Sequence, residues 1–389
     1  MKIPFLNLVR QIEERKGEIE KAIGSVLRKG IFILGPKLSL LEKKVAKYVG
    51  KRYAVGVGSG TDALHLALRA KGIGKGDGVI TTPYTFFATS EAISLTGARP
   101  FFVDIELDSY NLDGEKLADF IEKECREKNG NLIHKRTGLK IRAIIPVHLF
   151  GQCAKMERIL DLARRYNLSV IEDAAQSFGA EQKIKGKWLK AGSMGEIGCF
   201  SFYPTKNLWA FGDGGMIVTS EKEVYHQLCL FRNHGMVKKN YHSCFGWNSR
   251  LDEIQAALLL VNFRSLKEGN QRRKEIFLYY NEHLKDNVIV PKILPFNRPV
   301  FNQYVIRTLK RDFLRSFLER RGIATEVYYP LPLHLQKCYR DLGYKKGDFP
   351  KAEKASEEVL ALPIDPTLKE KERKYIVDCI AAFFADVDN

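Results

Sequence analysis

Hydrophobic residues recur at helical spacing near the start of the chain and then give way to short apolar runs. Residues 11–28 and 37–49 carry apolar side chains three and four positions apart, which predicts two amphipathic helices. After them, β-branched and aromatic runs at 54–58, 79–82 and 99–105 alternate with segments of helical periodicity. Strands that alternate with helices along a chain predict an α/β fold.

A strand–helix–strand unit in the middle of the chain indicates the direction of the sheet. The runs AIIPVHLFG (143–151) and SVIEDAA (169–175) flank a segment whose apolar residues share one helical face. Two strands joined by a single crossover helix pair in parallel, with a right-handed connection. Further apolar runs at 199–203 and 215–220 add strands, so we expect a mostly parallel central sheet flanked by helices.

The pattern changes beyond this sheet. A helical stretch begins near Arg250, and after about residue 260 long helical segments and a few strands surround the proline-containing segment 328–334. We therefore expect a large α/β domain over residues 1–255 and a smaller C-terminal α+β domain over residues 256–389.

Composition and charge narrow the functional class. The 389 residues contain no signal-peptide core and no apolar run of about 18 residues, so we expect a cytoplasmic protein without a membrane segment. The seven cysteines are scattered and lack metal-site spacing, which predicts reduced thiols and no bound metal. The net charge is +17, but Lys and Arg are interleaved with Glu, as on solvated helix faces, so no nucleic-acid partner is expected.

A glycine-rich turn is the first candidate for ligand binding. Gly58, Ser59, Gly60 and Thr61 lead directly into a helix, where free backbone N–H groups attract an anion. The turn lacks the third glycine of a dinucleotide fingerprint and the Gly-Lys-Ser/Thr of a P-loop. It is a candidate phosphate site, and a purely structural helix cap explains the same residues equally well.

Two further segments carry charges where a buried sheet would place them. Glu172 and Asp173 end a strand predicted to be buried on both faces, and α/β sheets bind ligands at that edge. A carboxylate there needs a cationic partner, unless it caps a helix or binds a metal.

Lys206 is the only charged residue of IGCFSFYPTKNLWAFG (197–212), and burial lowers a lysine pKa until the neutral amine can attack a carbonyl. A phosphate cradle, a strand-end carboxylate and an enclosed lysine are the contacts that pyridoxal 5′-phosphate (PLP) requires.

The sequence resembles the DegT/DnrJ/EryC1/StrS family of PLP-dependent sugar aminotransferases over most of its length. Eight motifs occur in the family's order: GSGTDALHLAL, TPYTFFAT, PVHLFGQ, EDAAQSFGA, SFYPTKNL…GDGG, RNHG, WNSRLDEIQAA and PLPLHLQ. The resemblance implies the PLP-dependent transferase fold of type I, that of aspartate aminotransferase. A related branch of the family replaces the lysine with histidine and dehydrates its substrate, and Lys206 argues against that branch.

The resemblance also implies roles in cofactor binding for matching residues. Lys206 would form the Schiff base, Asp173 would pair with the protonated pyridine nitrogen, and Gln176 would hydrogen-bond the phenolic oxygen of the ring. Phe86 would stack on the ring face. The phosphate would be held by Gly60, Thr61, Ser201 and, from the neighbouring subunit, Asn248. The last contact implies a homodimer with shared active sites.

For the substrate, the resemblance implies contacts with four residues: His148, Arg232, Tyr329 and His334. For both histidines a purely structural role is the alternative, and for the arginine the alternative is an ordinary surface position. The chain departs from the family at Trp209, where glycine is frequent, and at Tyr328, where histidine is frequent. Both residues are expected where the sugar could be contacted.

These features predict an aminotransferase that moves an amino group from an amino acid, with L-glutamate implied by the family, onto a keto sugar nucleotide. The product would be an amino sugar nucleotide for a surface polysaccharide or a related glycan. The segment YYPLPLHLQ resembles that of family members that act at the third ring carbon, and this resemblance implies amination there. One alternative is a PLP-binding sensor of the same fold that has lost turnover. Another is a nucleotide-dependent oxidoreductase, which would leave Lys206 unexplained.

Overall fold

Helices and strands alternate through the first half of the chain, as the sequence pattern predicts. The fold is that of a computed structural model, which describes residues 1–387. The α-helices of the described residues are α1 (Leu8–Glu13), α2 (Lys16–Lys29), α3 (Pro36–Val49), α4 (Gly60–Ala70), α5 (Ala88–Leu95), α6 (Gly114–Glu124), α7 (Met156–Arg165), α8 (Lys222–Phe231), α9 (Glu253–Leu284), α10 (Arg311–Arg320), α11 (Pro350–Glu358) and α12 (Glu370–Val387).

The strands fall into one large sheet and three small ones. They are β1 (Tyr53–Val57), β2 (Asp77–Thr81), β3 (Arg99–Phe102), β4 (Cys125–Lys128), β5 (Asn131–His134), β6 (Lys140–Ile144), β7 (Ser169–Asp173), β8 (Glu181–Ile184), β9 (Lys187–Lys190), β10 (Ile197–Ser201), β11 (Gly215–Thr219), β12 (Met236–Lys238), β13 (Tyr241–His242), β14 (Asn297–Arg298), β15 (Tyr304–Arg307) and β16 (Val359–Leu362).

The large sheet has the strand order β1-β11-β10-β7-β6-β2-β3, and the hairpin β4–β5 joins it at β6. From β10 to β3 the neighbouring strands are parallel, whereas β11 is antiparallel to both β1 and β10. Helices cover the sheet, and its central strands are buried almost throughout. The predicted α/β fold with a mostly parallel sheet is therefore confirmed, and the antiparallel direction of β11 was not predicted.

The sequence pattern loosens after about residue 260, but the structure has one long helix there, α9. It runs unbroken for 32 residues because its apolar stripe changes partner along its length. Leu259 and Leu266 pack in the core beside the large sheet, while Ile276 and Tyr280 pack in a second core with the C-terminal elements. The predicted domain boundary at residues 255 and 256 falls in the first turn of this helix, and the division itself stays a prediction.

The second core contains residues from both ends of the described chain. It gathers side chains of α9, α10, α12 and the β15–β16 pair, together with Ile3, whose backbone bridges to Ile323. Among the described residues no helix is long and apolar enough to cross a bilayer, and no group of His, Cys, Asp and Glu has the geometry of a metal site.

Candidate active site

A cavity of about 540 Å³ opens at the carboxyl ends of the parallel strands. Parallel sheets bind ligands at this edge, because strand ends and helix N-termini meet there. The cavity wall includes eight of the twelve residues that the sequence predicts for the site: Gly60, Thr61, Phe86, Asp173, Gln176, Ser201, Lys206 and Tyr329. They come from five separate parts of the chain, which the fold brings together.

Lys206 lies in the loop between β10 and β11, and hydrogen bonds of Lys206 and its neighbour anchor that loop. Its backbone N–H donates to the Tyr203 carbonyl at 2.9 Å. The next residue, Asn207, donates to Asn270 of α9 at 2.6 Å and to the Val300 carbonyl at 2.7 Å. Burial lowers the pKa of Lys206 to about 8, and the Asp173 carboxylate opposes part of that shift. At neutral pH the fraction of this amine that is uncharged and nucleophilic is therefore far larger than for an exposed lysine.

Asp173 ends β7 and points its carboxylate to the same cavity. One carboxylate oxygen accepts from the Thr89 hydroxyl at 2.7 Å, and the other accepts from the Ala175 backbone N–H at 3.1 Å. The Thr89 hydroxyl is also 3.1 Å from that of Thr85, which lines the cavity. These bonds hold a buried carboxylate in one orientation, next to the cavity that contains Lys206.

The N-terminus of α4 forms the phosphate cradle that the glycine-rich turn predicts. Ser59 caps the helix by accepting from the Asp62 backbone N–H at 3.0 Å, and Gly60 and Thr61 of the first turn line the cavity. A Cβ at Gly60 would lie only 2.7 Å from the Cβ of Ser201. Glycine is therefore required for the helix start and the end of β10 to approach this closely, and the geometry suits a phosphate group.

Gln176, Tyr329 and Phe86 form the wall opposite the lysine loop. The Gln176 side-chain oxygen accepts from the Phe150 backbone N–H at 2.7 Å, and its amide nitrogen donates to the Tyr329 hydroxyl at 3.1 Å. The Phe86 ring, 59% exposed, lies 6.4 Å from the Tyr329 ring. A planar aromatic group between this wall and Asp173 would meet both an aromatic face and hydrogen-bonding groups.

Both predicted substrate histidines lie outside the cavity. The His148 ring is fully buried: its Nδ1 accepts from the Ala154 N–H at 3.1 Å, so its Nε2–H donates to Glu172 at 2.8 Å. His334 is buried against Glu353, with 3.1 Å between Nε2 and the carboxylate. These positions support the structural alternative, and a substrate contact for either residue stays a prediction.

Arg232 and Asn248 are also absent from the cavity wall. Arg232 donates to the Glu42 carboxylate at 2.5 Å and to the Gly56 carbonyl at 3.1 Å, so within this chain its charge is already paired. Asn248 is exposed and bridges through its backbone to Asn233. The predicted roles of Arg232 and Asn248 in ligand binding stay predictions.

The two departures from the family pattern have different outcomes. Tyr328 lines the cavity, as expected. Trp209 does not: its indole is 4% exposed, donates to the Gln11 side chain at 3.1 Å, and borders a separate groove between α2 and α9. The expectation that Trp209 contacts the sugar is corrected, because the chain turns inward after Lys206 and buries the indole against α1.

Several residues of the cavity wall were missed in the sequence. Thr85, Tyr203, Asp213 and Gln303 all line it. Thr85 and Thr89 lie four positions apart in TPYTFFAT, and Asp213 lies in GDGG, so the motifs contained these residues without showing that they face a ligand.

Comparisons with known proteins agree with this geometry. The chain is 46% identical over 388 residues to the pleiotropic regulatory protein of Geobacillus stearothermophilus, covering 99% of each sequence. It is 39% identical over 389 residues to the dTDP-3-amino-3,4,6-trideoxy-α-D-glucose transaminase of Streptomyces venezuelae, covering 100% of this chain and 97% of that protein.

Solved structures agree over the same span. DesV of S. venezuelae, solved in complex with a ketimine intermediate, superposes with a TM-score of 0.91 at 38% identity over 98% of each chain. A Bacillus subtilis structure, NtdA with bound cofactor PMP, superposes with a TM-score of 0.86 at 30% identity, over 99% of this chain and 85% of that one.

The cofactor follows from the site and from these comparisons together. The fold is the PLP-dependent transferase fold of type I. Lys206, Asp173 and the α4 cradle supply an amine, a carboxylate and a phosphate site around one cavity, which are the groups that PLP needs. Residues 13–381 match one family along nearly the whole chain. The chain belongs to the DegT/DnrJ/EryC1/StrS aminotransferase family, whose members depend on PLP.

Proposed function

We propose that this enzyme transfers an amino group from an amino acid, L-glutamate, to the keto carbon of a sugar carried on a nucleotide diphosphate. The products are a 2-oxo acid and an amino sugar nucleotide, so one C–N bond breaks and one forms without net oxidation. The transaminase name of the S. venezuelae relative supports the sugar-nucleotide substrate. We place the reaction in the cytoplasm, in the synthesis of a surface polysaccharide such as lipopolysaccharide or of a related glycan, with amination at the third ring carbon.

The observation that carries this proposal is that Lys206 and Asp173 line the same cavity, where the Asp173 carboxylate acts on the pKa of the Lys206 amine. Burial keeps the Lys206 amine partly neutral near pH 8, and the Thr89 hydroxyl fixes the direction of the Asp173 carboxylate. A desolvated amine beside a fixed anion is an expensive arrangement for a protein that does not use it.

When bound, PLP supplies an aldehyde for covalent capture of amines and an aromatic ring that withdraws electrons from the bond being broken. Asp173 would hold the ring nitrogen in its protonated form, while Gly60, Thr61 and Ser201 would hold the phosphate. Lys206 Nζ would take the proton that leaves the donor's α-carbon and return a proton during the second half of the reaction. Phe86 and Tyr329 would cover the ring and exclude water.

We further propose that the active enzyme is a homodimer in which Asn248 of the partner subunit completes the phosphate site. Four consecutive apolar residues, Ile31, Phe32, Ile33 and Leu34, are each at least 40% exposed. A contiguous apolar patch of this kind is typical of a protein interface.

The test is covalent trapping. Purified protein incubated with PLP should show visible absorbance, and borohydride should then attach the cofactor to the peptide that contains Lys206. Lys206→Ala should lose the attachment, the visible band and transamination.

Lys51→Ala is the matched control, because Lys51 is also a lysine whose pKa is lowered by burial, yet it contacts the Gly195 carbonyl far from the cavity. Trapping and turnover by Lys206→Ala at the wild-type level would refute the proposal.

A sensor with the same fold is the second candidate, since the Geobacillus relative is named a pleiotropic regulatory protein. The two candidates differ in one measurement. An enzyme converts L-glutamate to 2-oxoglutarate and changes its cofactor spectrum within a single turnover, whereas a sensor binds PLP without this conversion.

A further inference from the structure

The loop that carries Lys206 lies between two open spaces. On one side Lys206 lines the cavity at the strand ends, and on the other side Asn207 lines a groove of about 550 Å³ between α2 and α9. The hydrophobic core holds the loop at Phe202 and again at Leu208, whereas residues 203–207 are all at least partly exposed. Core packing alone therefore leaves the position of the lysine open, and hydrogen bonds have to fix it.

Two asparagines from the C-terminal part of the chain take part in these bonds. The Asn302 amide nitrogen donates to the Asn207 side-chain oxygen at 2.8 Å and to the Thr205 carbonyl at a longer 3.4 Å, so it spans the residues on both sides of the lysine. The Asn207 amide nitrogen in turn donates to the Asn270 side-chain oxygen of α9 and to the Val300 carbonyl. Asn302 is 3% exposed, so little water competes for its bonds.

The segment that contains Asn302 is itself fixed to the cavity wall. The Gln303 backbone N–H donates to the Phe150 carbonyl at 3.3 Å, and the Phe150 backbone N–H donates to the side chain of Gln176, which lines the cavity. A Cβ at Gly151 would lie only 2.7 Å from the backbone nitrogen of Asn302, so the close approach of the two segments requires glycine. The same segment therefore ties the lysine loop to the opposite wall of the cavity.

We propose that Asn207 and Asn302 are positioning residues that hold the Lys206 amine where it takes the proton from the donor's α-carbon. This inference rests on the proposed function and adds to it the residues that place the proton acceptor. Neither side chain lines the cavity, so both act through the loop that they hold. A misplacement of about 1 Å at a reacting group costs about a hundredfold in rate, so the effect is measurable.

Asn262 of α9 offers a matched control. It is 3% exposed, as Asn302 is, and its amide nitrogen donates at 2.6 Å to the carbonyl of Trp209, on the same loop but beyond Leu208. The side-chain oxygens of both asparagines lack a hydrogen-bond partner among the described residues. Asn262→Ala and Asn302→Ala therefore remove buried amides of similar value to the fold, but only Asn302→Ala releases the residues that flank Lys206.

The first measurement is the reaction with the donor in a single turnover. Enzyme loaded with PLP is mixed with L-glutamate, or with L-glutamate deuterated at the α-carbon, and the cofactor spectrum is followed. We expect Asn302→Ala to slow the spectral change by about ten- to a hundredfold, with an isotope effect at least as large as that of wild type, because proton removal by a misplaced amine limits the rate. Asn262→Ala should keep the wild-type rate.

The second measurement needs no turnover. PLP is added to the apoprotein, and borohydride stops its covalent attachment to Lys206 at set times. The same amine has to reach the PLP aldehyde, so attachment should slow in Asn302→Ala and in Asn207→Ala but not in Asn262→Ala. The two effects should not add in the double variant, since each change breaks the same contact. If Asn302→Ala does not fold, Asn302→Asp replaces it, because the carboxylate keeps the size of the side chain without the donor.

The outcomes separate this inference from the proposed function. If Asn302→Ala and Asn262→Ala attach PLP and react with L-glutamate at equal rates, whether fast or slow, the bonds at Asn302 contribute only to the fold and the inference is overturned. If borohydride attaches no PLP to Lys206 in the wild-type protein, the proposed function fails instead.

Discussion

The two faces of the sheet at the end of β7 use the same chemical group for different purposes. Glu172 and Asp173 are adjacent and both buried, at 0% and 5% exposure. Because side chains alternate across a strand, they point to opposite faces. Asp173 faces the cavity with Lys206, whereas Glu172 faces the interior and accepts from His148 and from the backbone N–H groups of Gly192 and Gly195, at 2.8, 2.7 and 2.5 Å.

The difference lies in how completely each carboxylate is satisfied within the protein. Glu172 has three donors, all from the chain, and is closed off from any ligand. Asp173 has two donors and lines the cavity, where a ligand can reach its carboxylate. A buried carboxylate with all its partners stabilises the fold, and one that keeps charge directed at a cavity is available for a ligand.

The largest expected effect is on catalysis, from Asp173→Asn. The amide keeps the size and one acceptor oxygen but removes the charge that would hold a protonated ring nitrogen. We expect turnover to fall by about a hundred- to a thousandfold, the size found when one preorganised electrostatic contact is removed, while the free energy of unfolding changes by less than about 1 kcal/mol. Steady-state kinetics and chemical denaturation measure the two quantities, and an active Asp173→Asn enzyme would remove the contrast between the two carboxylates.

Glu172→Gln should give the opposite result. The amide leaves at least one of the three buried donors poorly paired, so we expect the free energy of unfolding to fall by about 2–4 kcal/mol, near the range for breaking a buried ionic contact. Turnover per folded molecule should stay within about threefold of wild type. If Glu172→Gln lost activity as Asp173→Asn does and kept full stability, Glu172 would belong to the site.

His148→Gln tests the buried hydrogen bond between His148 and Glu172 by changing the histidine in place of the carboxylate. We expect the unfolding free energy to fall by about 1–3 kcal/mol, the cost of leaving a buried polar group imperfectly paired. The KM for the keto sugar nucleotide should be unchanged, because the ring lies outside the cavity. A large rise in that KM at unchanged stability would instead establish the substrate contact that the sequence resemblance implies.

The pH dependence of cofactor attachment reports on Lys206 directly. Only the neutral amine attacks the PLP aldehyde, so the rate at which the apoprotein binds PLP covalently should rise with pH and level off above about 8. The Asp173 carboxylate favours the charged ammonium and so raises the pKa of Lys206. Asp173→Asn should therefore shift the inflection to lower pH. An inflection near 10.5 in wild type would mean that the amine is hydrated and not buried.

The sequence predicted the sheet and the cofactor side of the site better than the substrate side. Strand–helix–strand periodicity is local, and the carboxyl ends of parallel strands meet at one edge, which is why Asp173 could be expected at a ligand site. Asp173 and Lys206 line one cavity, and their roles in cofactor binding stay predictions. The antiparallel direction of β11 and the length of α9 depend on packing partners that periodicity does not contain.

The residues that the structure leaves out of the cavity share one feature: their partners are distant in the sequence. Arg232 pairs with Glu42, 190 positions away, and His148 pairs with Glu172, 24 positions away. A motif shows which residue types occur together but not whether a charge is already satisfied inside the fold. Partner choice at long range is what the sequence alone left open.

Trp209 provides the smallest and most local test of this point. Trp209→Phe keeps most of the buried ring and its stacking on Phe211, at 5.2 Å between centroids, but removes the N–H that donates to Gln11. Gln11 Nε2 still donates to Asp365 at 2.7 Å, so one buried acceptor loses its partner and the unfolding free energy should fall by about 1 kcal/mol. Kinetic constants for donor and acceptor should stay within about twofold of wild type, since the indole borders a different groove. A selective change in the KM for the sugar nucleotide would place Trp209 at the substrate after all, and would show that the loop of Lys206 transmits changes from its buried side to the cavity.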